Sequence, residues 1–182
     1  MGSSPISCIG LNKGFSDKIL WRNPQLLADL PDDKDVDNLT MLTLRKYSPE
    51  MRLAIVEQAI DTIPNLGLVI IDGIRDFVYD INSPNEATNI ISKFMQWTDD
   101  RQIHIHTILH QNKNDEHARG HIGTELNNKA ETIMQVEVDK DDKNVSIVEA
   151  IHIRDREFEP FAFRINEKAL PELVESYMSK EK

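Results

Sequence analysis

The stretch Leu66-Gly67-Leu68-Val69-Ile70-Ile71-Asp72-Gly73 constrains the fold more than any other part of this chain. It is an apolar run that ends abruptly in an acid and a glycine. A run of this length, bounded by turn residues, predicts a strand buried on both faces of a parallel sheet. In open α/β sheets, ligands bind beyond the carboxyl ends of the strands, which is where Asp72 stands. The plainer role for an aspartate there is to cap the turn or helix that follows.

The rest of the chain alternates in the same manner. Ile6–Ile9 reads as a short strand, Asn12–Asp17 as a loop, Leu20–Leu30 as a short helix and Pro31–Asp35 as a solvated acidic turn. Leu39–Leu44 is a second strand. Ser48-Pro49-Glu50 combines an N-cap with proline at the first helical position, and the helix it starts places Leu53, Val56, Ile60 and Ile63 on one face until Pro64-Asn65 stops it. Ser83-Pro84-Asn85-Glu86 has capping-box spacing and opens a helix through about Asp100, with Ile90, Ile91, Phe94, Met95 and Trp97 as its apolar set. Ile103–Leu109 is a β-branched strand, His110–Gly123 a polar loop, and Thr124–Lys129 a short helix. Thr132–Val138 and Val145–Ile153, joined by an acidic turn, form an antiparallel hairpin. Phe161–Ile165 is a last strand, and Pro171–Met178 a short helix. Strands alternating with helices and closed by an antiparallel set predict an α/β fold with a mainly parallel sheet.

Length and charge set the outer bounds. A chain of 182 residues is expected to be one domain, with an irregular segment over 1–35, a core over 36–170 and a helix and tail over 171–182. Net charge is −10, which argues against a broad surface for nucleic acid, since phosphate binding needs clustered Lys and Arg. There is no apolar run long enough to span a membrane and no basic–apolar leader at the start, and Cys8 is the single cysteine. These features predict a cytoplasmic protein without disulfides.

Other chemistries are poorly supported. His104, His106, His110, His117 and His121 invite a metal reading, but no H-E-x-x-H string is present, and a zinc site needs three or four converging ligands. A phosphate cradle of the form G-x-x-x-x-G-K-[ST] is also absent. The nearest stretch, Gly10–Lys18, has its glycines too close together and places Asp17 where phosphate would sit. No Ser-His-Asp order or paired-carboxylate motif points to a hydrolase.

Taken together, Leu66–Gly73, Thr107–Lys113, Ala118-Arg119-Gly120, Thr124-Glu125-Leu126 and Ala130-Glu131-Thr132 resemble the RecA-like P-loop ATPases. The branch they look most like holds the RepA and DnaB hexameric helicases and related ATPases of plasmids and mobile elements. The resemblance covers roughly residues 36–170. It implies a RecA-like three-layer fold, with Asp72 as the Walker B acid that holds Mg²⁺ through water. His110 and Gln111 match the polar sensor of the γ-phosphate. Arg119 matches a loop that contacts nucleic acid or reaches a neighbour's nucleotide, and Arg154 and Arg156 match basic residues presented to the next subunit. It also implies ATP and Mg²⁺ as cofactors of the complete family member, hydrolysis at the interfaces of a homo-oligomer, and action on DNA through that oligomer.

The family's Walker A strand, loop and helix, and its catalytic glutamate, should precede residue 36, and none is identifiable there. The chain is therefore expected to be an N-terminally truncated core, inactive alone, with Ile6–Ile9 or another chain filling the Walker A slot beside the sensor strand. Two other roles fit the same residues. One is a catalytically dead interaction module that joins a full-length ATPase partner. The other is an α/β domain in which Asp72 merely caps a turn.

Overall fold

A computed structural model describes residues 7–12, 38–111, 120–175 and 177. The expected helix over Leu20–Leu30, the acidic turn Pro31–Asp35, His117 and Arg119 lie outside the described residues. The chain divides into two compact units, residues 1–128 and 129–182, where the length predicts one domain.

The first unit is built on a four-stranded parallel sheet in the order β2-β1-β3-β4, comprising β1 (Ser7–Asn12), β2 (Leu39–Thr43), β3 (Leu66–Asp72) and β4 (His104–Ile108). β1 lies between β2 and β3, with Gly10 beside Met41 on one side and Ile70 on the other. The predicted strand at Ile6–Ile9 therefore exists, but it does not take the place beside the sensor strand that was one expectation for it. Among the described strands, β4 pairs with β3 alone, placing Ile108 beside Asp72 and His106 beside Ile70.

Helix α1 (Pro49–Thr62) starts where its sequence says it should: the Ser48 hydroxyl accepts from the Met51 N–H at 3.4 Å, and Pro49 fills the first turn. It ends at Ile63, followed by Asn65 in the left-handed region at φ 53°. Helix α2 (Pro84–Arg101) buries Ala87, Ile90, Ile91, Phe94 and Trp97. Met95, expected with that set, is 49% exposed, because it lies off the stripe formed by the others. Phe94 stacks on Trp97 at 5.5 Å between centroids and meets Phe77 edge-on at 6.4 Å. Val56, Ile60, Val69, Ile71 and Ile122 complete this core.

β3 is buried on one face, not on both as its composition predicts. Val69 and Ile71 are fully buried, whereas Ile70, pointing the other way, keeps 37% of its surface exposed. Helix α3 (Gly120–Lys129) begins four residues before the predicted start, inside the expected loop. Tertiary contact explains the difference: Gly120 adopts φ +75° against Ile81, and the next turn buries Ile122 completely.

The second unit is an antiparallel sheet in the order β5-β6-β7-β8, made of Thr132–Val138, Val145–Ile153, Phe161–Ile165 and Pro171–Leu173. The predicted hairpin is its first half. The predicted C-terminal helix is not formed over Pro171–Leu173, which pairs with β7 as Phe163 beside Leu173 and Arg164 beside Glu172. A tight turn closed by Asn166, whose side chain accepts from the Lys168 and Leu170 amides, returns the chain antiparallel and overrides the local pattern.

Candidate functional site at the carboxyl edge of the parallel sheet

The carboxyl end of β3 is shaped by Gly73. Its φ of 88° lies in the left-handed region, which glycine enters without the steric cost of a Cβ. The chain turns there into a single 3₁₀ turn, Ile74–Phe77, whose Ile74 and Phe77 are buried. Gly73 occupies the N-cap position of that turn, and Asp72 makes no capping bond. Among the described residues, the half-buried Asp72 carboxylate has no hydrogen-bond or ion-pair partner. Capping is thus not what holds this acid in place.

His110 and Gln111 follow β4 at the same edge, two and three residues beyond Ile108, the residue beside Asp72 in the ladder. Both are exposed. Parallel pairing of β3 with β4 therefore brings three of the sequence-predicted residues to one end of one sheet. Arg154 and Arg156 belong to the second unit, where they are exposed and follow β6 rather than lie within it. The Arg154 N–H donates to the Glu131 carbonyl at 3.0 Å. Arg119 falls outside the described residues.

The donor set fits a hydrated Mg²⁺ better than a caged metal. Mg²⁺ keeps most of its water shell and is held by one or two carboxylates, so a lone accessible carboxylate such as Asp72 suffices. Among the described residues, no three His, Cys, Asp or Glu side chains converge to hold a metal, which leaves the histidines without a common ligand site. His104 is exposed and His106 half-buried; both share the open face of the sheet with Ile70.

Two features that support this edge were not read from the sequence. Arg52, on α1, spreads its guanidinium over three backbone carbonyls: Nε to Leu44 at 3.0 Å, Nη2 to Arg45 at 2.9 Å and Nη1 to Asp76 at 2.5 Å. A single side chain thereby ties the chain leaving β2 to the 3₁₀ turn leaving β3. The fork geometry of arginine, with donors on three nitrogens, is what makes this possible. The available signal was position: Arg52 stands four residues before Val56 and eight before Ile60, a charge on the helix's apolar stripe.

The second is a pair of bonds made by Tyr79. Its hydroxyl donates to the Glu50 carboxylate at 2.9 Å, and its N–H donates to Glu86 at 2.7 Å. Glu86 thus completes only half of the predicted capping box. The Ser83 hydroxyl accepts from the Glu86 N–H at 3.3 Å, but the Glu86 carboxylate reaches out to Tyr79 instead of back to Ser83. Backbone hydrogen bonding first, and the Tyr79 hydroxyl second, hold the Glu50 carboxyl below the usual range. The same bond to Glu50 pushes the Tyr79 phenol up.

Among solved structures, the chain is similar to the ATPase domain of a DnaB-like helicase. The TM-score is 0.63 at 13% sequence identity, over 93% of this chain and 75% of that one. No family model and no curated protein matches the sequence. At this identity the likeness concerns the fold: a RecA-like α/β fold with a parallel and an antiparallel sheet. Among the described residues, no helix is long and apolar enough to cross a membrane.

Proposed function

We propose that the chain is the carboxyl-terminal part of a RecA-like ATPase core from a plasmid or mobile-element replication or mobilisation protein. The observation that carries this reading is Asp72: a half-buried carboxylate, unpartnered among the described residues, at the carboxyl end of a strand inside a parallel sheet. The fold shared with an ATPase domain supports it.

In the complete protein, bound Mg²⁺ and ATP supply the reacting phosphates and the cation that offsets their charge. Asp72 orients the hydrated Mg²⁺. His110 or Gln111, at the end of the adjacent strand, hydrogen-bonds the γ-phosphate region. Arg119, with Arg154 or Arg156, completes the site of a neighbouring subunit in a homo-oligomer that acts on DNA. An arginine suits that position because its planar charge spreads over several phosphate oxygens.

The chain alone is expected not to turn over ATP. Positioning and charge neutralisation supply most of the catalysis in phosphoryl transfer, and the sequence contains no G-x-x-x-x-G-K-[ST] loop to provide them. The test is calorimetry with Mg²⁺-ATP at high protein concentration, alone and with a Walker A-containing relative added. Binding that requires the relative and disappears in Asp72→Ala supports the reading. Robust turnover by the isolated chain, abolished by Asp72→Ala, refutes the truncated-core part of it.

A second reading is a catalytically dead module that regulates or joins a full-length ATPase. It is favoured by β4, which pairs on one side alone among the described strands and so offers backbone groups to an added strand. Coexpression with the relative followed by pull-down separates the two: retention of Asp72→Ala together with unchanged ATP turnover by the relative supports the module.

A further inference from the structure

The first turns of α1 and α2, together with the segment that follows the 3₁₀ turn, wall a cleft of about 480 Å³ in the first unit. Leu53, Ala54 and Val78 give it an apolar lining, while Glu50, Glu57 and Glu86 stand around it with Lys93 as the one cation among the lining residues. The carboxylates are not equivalent. Glu57 is paired with the Lys93 ammonium. Glu50 and Glu86 accept instead from neutral donors on Tyr79, which satisfies their geometry without cancelling their charge.

Those two bonds also brace the cleft. Tyr79 reaches α1 through its hydroxyl and α2 through its N–H, so one residue spaces both walls. Its ring is 68% exposed, an aromatic surface flanked by two uncompensated carboxylates. An apolar trough with a pre-positioned aromatic ring and acidic edges complements one chemistry: a short segment that offers an apolar side chain to the trough and Lys or Arg to the edge. A braced groove costs its ligand little to order.

We propose that this cleft is a docking groove for a basic amphipathic helical segment of a protein partner. The segment seats an aliphatic side chain on Leu53, Ala54 and Val78 and places cationic side chains against Glu50, Glu86 and the Tyr79 ring. This inference uses neither Asp72 nor the sheet edge, so it stands or falls apart from the ATPase reading.

The experiment uses the full chain and a fluorescein-labelled synthetic helix of about four turns, with leucine on one face and lysine flanking it. The same peptide with glutamate in place of lysine is the control. Fluorescence anisotropy is expected to show saturable binding of the lysine peptide and none of the glutamate peptide. The Glu50→Gln/Glu86→Gln pair keeps acceptors for Tyr79 and should weaken binding at least about tenfold. The exposed Glu149→Gln/Glu167→Gln pair removes the same charge from the second unit and should bind as wild type. Ala54→Trp, at an exposed position, should fill the trough and abolish binding without unfolding the helix. Amide shifts in the two-dimensional NMR spectrum should cluster at Leu53, Ala54 and Tyr79. Equal weakening by both charge pairs, no effect of Ala54→Trp, or no saturable binding would each overturn the proposal.

Discussion

Replacing Gly120 with alanine is a substitution for which local and tertiary reasoning predict opposite signs. Gly120 opens α3, and on helix propensity alone alanine there should stabilise by about 1 kcal/mol. In the fold, a Cβ at this position would stand 2.6 Å from the Ile81 carbonyl oxygen and 3.1 Å from its carbon. Both are backbone atoms, so no side-chain rotation relieves the overlap. Neither can α3 retreat freely: the Ile122 N–H donates to the same carbonyl at 3.3 Å, and Ile122 is fully buried. The φ of +75° adds about 1–2 kcal/mol for any residue with a Cβ. Relieving the overlap adds about 1–3 kcal/mol, the usual range for overpacking. Gly120→Ala should therefore destabilise by about 2–5 kcal/mol, read as a lower urea midpoint by circular dichroism. Asn127→Ala, exposed on the same helix, serves as the reference and should be neutral or stabilising by a few tenths of a kcal/mol, roughly the propensity difference. A Gly120→Ala protein at least as stable as wild type would falsify the close approach of α3 to Ile81.

Four further outcomes are expected. Arg52→Met strips three carbonyls of a charged donor and should cost about 2–4 kcal/mol in urea unfolding, with faster amide exchange around Asp76; an unchanged midpoint would sink the clip. Phe94→Ala removes the ring between Phe77 and Trp97 and should cost about 3–5 kcal/mol, checked by the thermal midpoint. Asp72→Ala should leave stability within about 0.5 kcal/mol of wild type, because no described partner is lost, while removing any Mg²⁺-ATP heat. Finally, ultraviolet titration of wild type against Tyr79→Phe should place the Tyr79 phenol above its ordinary value of 10.0, and Glu50→Gln should bring it down. With the phenol raised, its contribution to stability is present below that value and is lost as pH rises through the folded one. With the Glu50 carboxyl lowered from 4.5, its contribution is present above that value and lost as pH falls through the folded one.

Element positions were largely legible because they rest on short-range patterns. The Ser-Pro starts at Ser48 and Ser83, the acid–glycine end of β3 and the turn between β5 and β6 are all read within a few residues. Misreadings came where distant contacts outweighed such patterns. Gly120 looked like loop because glycine is poor in helices, yet the absence of a side chain is what lets α3 meet Ile81. Pro171–Leu173 looked like a helix start, yet β7 offered an edge to pair with. The candidate site divides in the same way. Asp72, His110 and Gln111 were found because strand ends announce themselves, whereas Arg52 and the Tyr79 bridge were not, because their partners are 7 to 29 residues away.

The sequence by itself determined that this is an α/β chain, where its strands and helices begin, and that Asp72 ends a strand, since hydrophobic period, caps and turn residues act locally. The tertiary structure alone decided that β1 inserts between β2 and β3, that one face of β3 packs while Ile70 stays partly exposed, and that Tyr79 braces two helices into a cleft. The physical reason is that strand order, face burial and side-chain bridges depend on which distant backbone groups and surfaces compete for each partner. That competition has no period along the chain.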